Sequence, residues 1–167
     1  DTGSLDARKV TAFGFESAFT LDRFYGQGGW FHYGITRRVT TPDPDFSGWY
    51  ALATWSLTGE TRRYDAASAS FRGLYPDRPL GSPGGFGAWE IKARYSRVDL
   101  DDLPLAAAAS GGVTGGLQTV WSAGLNWYPN DGLRFMLDYD NIAVRHIDRP
   151  GTDISASAVA LRSQIAF

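Results

Sequence analysis

Cysteine is absent from this sequence, which excludes a disulfide scaffold, a thiolate metal site and a cysteine nucleophile. Long hydrophobic runs are missing too. No stretch approaches ~18 consecutive apolar residues, so no segment reads as a membrane-spanning helix. An excess of one charge is also lacking. The net charge is -2, and bulk electrostatics give no sign of a nucleic-acid binder. There is no initiator Met and no signal peptide, so the chain is expected to be a mature product or part of a longer one. What is plentiful is glycine and aromatic side chains: 20 Gly, six Trp, eight Tyr and ten Phe in 167 residues. That usage suits one all-β domain with many turns.

The hydrophobic period is two in segment after segment, and alternation means that the two faces of a strand meet different environments. From Ala88 to Ser96, one face carries Trp89, Ile91, Ala93 and Tyr95, and the other Glu90, Lys92, Arg94 and Ser96. The same pattern runs through Thr11 to Phe19, Trp49 to Leu57, Thr119 to Trp127, Leu133 to Tyr139 and Ser157 to Phe167. Tyr25 to Arg38 reads as a strand whose facing its many glycines obscure. Seven strands are therefore expected, with Ser68 to Tyr75 a faint eighth.

Three strands place aromatics six residues apart on the apolar face: Trp49 with Trp55, Trp89 with Tyr95, and Trp121 with Trp127. Six steps along a tilted strand span ~15 Å, inside the ~25 Å apolar band that aromatic girdles border in outer-membrane barrels. Small residues lie between the rings, where a dry core would favour large aliphatics. The links suggest the same architecture. Pro129-Asn130-Asp131-Gly132 and Leu21 to Phe24 are short, whereas Val39 to Phe46, Asp99 to Gly116 and Arg145 to Ser155 are long and polar. Short turns on one side and long loops on the other fit a barrel with its short side periplasmic. Gly59 to Gly85 breaks the rule, being long where parity expects a short turn. Phe167 gives the last strand an aromatic end.

The stretches Gly48-Trp49-Tyr50 running to Leu57-Thr58-Gly59-Glu60, Gly87-Ala88-Trp89-Glu90 running to Arg94-Tyr95-Ser96, and Gly124-Leu125-Asn126-Trp127-Tyr128 followed by Arg134-Phe135-Met136-Leu137 resemble the phosphate-selective porin O and P family. The resemblance extends from about Lys9 to Phe167. It implies a 16-stranded antiparallel transmembrane β-barrel of the bacterial outer membrane, assembled as a homotrimer, in which basic side chains lining a constriction select anions such as phosphate. Seven strands make this chain, residues 1–167, the expected C-terminal part of such a barrel. The alternative is a small closed eight-stranded barrel with a structural or adhesion role.

The expected function is passive diffusion of small hydrophilic solutes, with no cofactor and no catalysis. Charges on a water-filled lumen are cheap, whereas a charge facing lipid costs ~2–4 kcal/mol at the bilayer midplane. Lys92, Arg94, Arg134 and Arg162 are the candidates for anion attraction along the solute path, with Glu90 and Asp138 expected to pair with them across strands. Outer-membrane lipid, lipopolysaccharide and small inorganic anions are the expected partners. Arg37-Arg38 and Arg62-Arg63 read as solvated strand ends or turns, with a lipid A phosphate the weaker alternative for Arg37-Arg38. Asp99, Asp101 and Asp102 read as a solvated loop start, with divalent cation binding the weaker alternative. His146 beside Asp148 lacks the nucleophile motif that a Ser–His–carboxylate enzyme requires.

Overall fold

The computed structural model describes residues 2–40, 42–102, 111–147 and 151–166. Phe167 and Asp148, singled out from the sequence, lie outside the described residues. Seven long antiparallel strands form one sheet: β1 (Ala7–Leu21), β2 (Phe24–Arg37), β3 (Asp45–Ser56), β6 (Ala88–Asp102), β7 (Val113–Asn130), β8 (Leu133–Arg145) and β9 (Ile154–Ile165). Each pairs with the next in that order, and β1 and β9 are the free edges. A separate two-stranded pair, β4 (Tyr64–Asp65) with β5 (Ser70–Phe71), lies in the link from β3 to β6. No helix occurs among the described residues.

All seven expected strands are present. Of Ser68 to Tyr75, only Ser70–Phe71 becomes a strand, and it does not join the main sheet. The closed eight-stranded alternative is thereby corrected: the sheet is open. The strands also run further than alternation suggested, because backbone pairing continues where side-chain contrast fades. Asp99, Asp101 and Asp102 consequently lie in β6, not in a loop. A register shift falls between Asp99 and Asp101. There the Gly116 amide donates to Asp101 at 2.8 Å, and Asp99 pairs with Arg97 at 3.3 Å.

Register fixes the faces. Trp30 stands opposite both Phe15 and Trp49, and Trp127 stands opposite both Trp89 and Phe135. Two rows of rings result. Phe13 meets Trp30 at 6.0 Å, Trp49 meets Tyr95 at 4.9 Å, and Tyr95 meets Trp121 at 4.4 Å. Nearer the short turns, Phe24 meets Trp55 at 6.4 Å, and Trp127 meets Trp89 at 5.5 Å and Phe135 at 5.6 Å. This apolar face is the exposed one: Phe15 is 65%, Trp121 62% and Leu161 76% exposed. On the opposite face Glu90 is 1%, Asn126 0% and Asp138 5% exposed. The burial expected of a globular sheet is inverted.

The link from β3 to β6 folds onto the polar face. Leu74 packs with Ala88 and Tyr128 in a buried apolar cluster, and the Phe71 ring meets Tyr25 at 5.4 Å. The β4–β5 turn is pinned by Asp65, which accepts from Ser68 Oγ at 2.8 Å and Arg72 Nη2 at 2.6 Å. Those hydrogen bonds, Ser68 first, hold its carboxyl down at about 2. Where the link re-enters the sheet, the Leu80 amide donates to Pro129 O at 2.7 Å and the Gly87 amide to Arg78 O at 3.0 Å.

Gly87 has a φ of +77°, and a Cβ there would lie 2.4 Å from Tyr128 O. Both the left-handed backbone and the close approach demand glycine. Gly87→Ala is expected to destabilise the fold by ~1–3 kcal/mol, seen as a lower urea midpoint by tryptophan fluorescence. An unchanged midpoint would mean that the infolded link is not part of the cooperative unit.

Candidate functional site

Alternation along β6 puts Glu90, Lys92 and Arg94 on the polar face, and register then brings their neighbours. Glu90 stands between Ser56 on β3 and Asn126 on β7. Its carboxylate accepts from Thr54 Oγ1 at 2.8 Å, Asn126 Nδ2 at 2.8 Å and Tyr128 Oη at 3.1 Å. The fourth donor is Arg62 from the infolded link, whose Nη2 reaches Oε1 at 2.7 Å and Oε2 at 2.8 Å. The Arg62 side chain is itself only 12% exposed, and its guanidinium lies 4.7 Å from the centre of the Tyr25 ring.

Asp138 is the second anchor. It stands two strands beyond Lys92 in the same cross-strand row, with Gly124 between them. Lys92 Nζ approaches Asp138 Oδ1 at 2.6 Å, and Arg162 Nη2 approaches Oδ2 at 2.7 Å. Glycine at position 124 makes the crossing possible. A Cβ there would lie 2.3 Å from Asp138 Oδ1 and 2.5 Å from Lys92 Cε.

Arg94 and Arg134 differ from these. Arg94 donates to Ser96 Oγ at 3.3 Å and lies 5.2 Å from the Tyr50 ring centre. Arg134 lies 5.1 Å from the Tyr128 ring centre, and its Nε is buried without a hydrogen-bond partner. Neither has a carboxylate partner among the described residues. Together Arg62, Lys92, Arg94, Arg134 and Arg162 line an open recess of ≈ 320 Å³ with Asp138 and Asp140. Cations outnumber carboxylates in that lining, five to two.

The four cations singled out from sequence are thus brought to one place. Asp138 pairs with two of them as expected. Glu90 does not: its charge partner is Arg62, and it lies beneath the recess instead of pairing with Lys92 or Arg94. The reading of Arg62 as a solvated turn residue is corrected accordingly. No local signal identifies Arg62, because its partner lies 28 residues away across a fold-back. The remaining candidates fall elsewhere, and so do the histidines. His32 stacks on Trp30 at 5.8 Å on the apolar face and lies 3.6 Å from Asp45. The His146 amide donates to Asp153 at 3.0 Å. Arg37 approaches Asp6 at 3.8 Å and donates to Pro42 O at 3.1 Å, and Arg38 donates to Ala7 O at 3.3 Å.

Removing one partner of a buried pair strands the other charge, which typically costs ~3–5 kcal/mol. Glu90→Ala is therefore expected to lower the urea midpoint and to open residues 59–86 to limited proteolysis. Glu90→Leu combined with Arg62→Met should recover most of that loss, because neither charge is then left alone. A double variant as unstable as the single one would show that the pair is not the tie between link and sheet.

Two relatives share much of this sequence. An uncharacterized protein of Caulobacter vibrioides is 36% identical over 83% of the chain, and Porin O of Pseudomonas aeruginosa is 26% identical over 94% of it. The chain spans 26% of the length of the first relative and 35% of the second. The model of the family described as phosphate-selective porin O and P matches residues 2–167. The two-faced sheet, the basic recess and this match along the chain's length lead to one conclusion: the chain belongs to the phosphate-selective porin O and P family.

Proposed function

We propose that this chain is one arc of a bacterial outer-membrane porin, a passive channel rather than an enzyme, through which small hydrophilic anions such as phosphate diffuse. The observation that carries the reading is the inversion of the sheet. Its charged face buries Glu90, Asn126 and Asp138 and is lined with cations, while its other face is apolar, exposed and crossed by two rows of rings. Such a sheet has its polar side toward a water-filled lumen and its aromatic rows at the two interfaces of a bilayer.

The open edges at β1 and β9 support completion by further strands, since unpaired backbone groups cannot face hydrocarbon. The family resemblance suggests 16 strands in all, with this chain as the C-terminal part, and a homotrimer. Outer-membrane lipid and lipopolysaccharide would cover the apolar face. The infolded link then lies inside the barrel near its short-turn, periplasmic end.

Charge pairing divides the lumen cations. Lys92 and Arg162 share Asp138, and Arg62 is spent on Glu90, so Arg94 and Arg134 supply most of the unbalanced field. In the full-length protein, replacing Lys92, Arg94, Arg134 and Arg162 by Glu is expected to move the reversal potential toward cation preference in planar bilayers under a KCl gradient. Arg94→Glu with Arg134→Glu alone should produce most of that movement. Screening acts over ~8 Å at physiological ionic strength, so concentrated salt should shrink the difference. An unchanged reversal potential in folded channels would place selectivity outside this arc.

A further inference from the structure

We infer that the lumen face carries, next to Arg94 and away from the infolded link, a subsite for small organic anions with a flat apolar body, such as aromatic carboxylates. The inference rests on the channel reading above and names a solute class for it. Register places Phe31, Tyr50 and Val98 on the face of Arg94: Tyr50 stands opposite Gly29 and Ser96, and Gly48 lies between Phe31 and Val98. Tyr33 stands opposite Phe46 in the next row. These side chains line an open recess of ≈ 360 Å³ that also takes in Arg94.

The wall is fixed in place. Phe31 and Tyr50 stack with ring centres 6.3 Å apart and planes 15° apart. The Tyr50 hydroxyl accepts from Gln27 Nε2 at 2.8 Å and donates to Glu16. A hydrated inorganic ion gains nothing from such a surface. An anion with a ring does: its carboxylate meets the guanidinium of Arg94, which has no carboxylate partner among the described residues, while its ring covers Phe31, Tyr33 and Val98. The lining also holds Arg97, which is paired with Asp99 at 3.3 Å, so Arg94 is the cation left for a ligand; an apolar lining with a few well-placed charges is the general form of a small-molecule site. The basic recess beside it is lined mainly by charged and polar side chains and lacks this aromatic wall. The two recesses share Arg94, so an organic anion held here sits at the edge of the path proposed for phosphate.

The test compares benzoate with acetate, two singly charged carboxylates that differ in the ring, as blockers of KCl current through the full-length protein in planar bilayers. Benzoate is expected to reach half-block at about a tenfold lower concentration than acetate. Tyr33→Ala should abolish most of that preference, and Arg94→Gln should raise the half-blocking concentration of both anions. Equal block by benzoate and acetate, or a preference that survives Tyr33→Ala, would overturn the proposal; this is the result expected if another part of the full-length chain covers the recess. A protein that opens no channel at all would overturn the porin reading itself, and this subsite with it.

Discussion

Four side chains, three from the two neighbouring strands and one from a distant link, converge on the Glu90 carboxylate, and the polar half of the structure is arranged around it. A carboxylate this deeply covered carries a desolvation cost of several kcal/mol unless its lone pairs are met. Thr54, Asn126, Tyr128 and Arg62 meet them. Three of those donors fix neighbouring strands in register. The fourth fastens the link between β3 and β6 to the sheet, which in turn lays Leu74 over Ala88 and Tyr128. The apolar cluster under the link and the buried ion pair are therefore one arrangement: the link covers Glu90, and Glu90 retains the link.

The same two-residue period serves both faces of the sheet, with opposite demands. On the ring-bearing face, large side chains touch mainly each other along two rows, and alanine and glycine fill the interval. On the charged face, side chains reach across strands because acids and bases attract over that distance. Gly124 shows how closely the two requirements mesh. A glycine in a strand interior weakens it, yet here the missing side chain is what lets Lys92 reach Asp138. A sheet with charges on its covered face and rings on its exposed face inverts the order expected in water. On the porin reading proposed above, a surrounding apolar solvent supplies the cover that the ring-bearing face lacks.

Much of this was legible in the sequence wherever the two faces differ in chemistry. Trp89, Ile91, Ala93 and Tyr95 against Glu90, Lys92, Arg94 and Ser96 assign β6 without ambiguity, and the cations on the charged face do meet in one recess. Legibility failed where contrast failed. In β2 the glycines at 26, 28, 29 and 34 blur the alternation, and rings stand on both faces, Trp30 and His32 on one and Phe31 and Tyr33 on the other, so no facing follows from the pattern. Strand ends were read short because Asp99, Asp101 and Asp102 look like loop residues, although their backbone continues the ladder. The role of Arg62 was hidden for a different reason. A pair formed by a fold-back depends on the whole sheet being in place, and no period in the sequence encodes it.

The distribution of paired and unpaired cations follows in part from where cover is greatest. Near the infolded link the covered cations have carboxylates: Arg62, 12% exposed, has Glu90, and Lys92, 17% exposed, has Asp138, which the open Arg162 shares. Further along the face Arg94 stands in the open, where water supplies the solvation that a counter-charge supplies elsewhere. Paired and unpaired cations thus lie within one recess, and cover alone does not sort them, since Arg162 is open and still shares Asp138. Arg134 is the intermediate case. Tyr128 spreads its ring beside the guanidinium, and Nε is shut away from solvent without a partner. Cation–π contact offsets part of that burial but adds no negative charge. The positive field of Arg134 therefore stays available to whatever enters the recess.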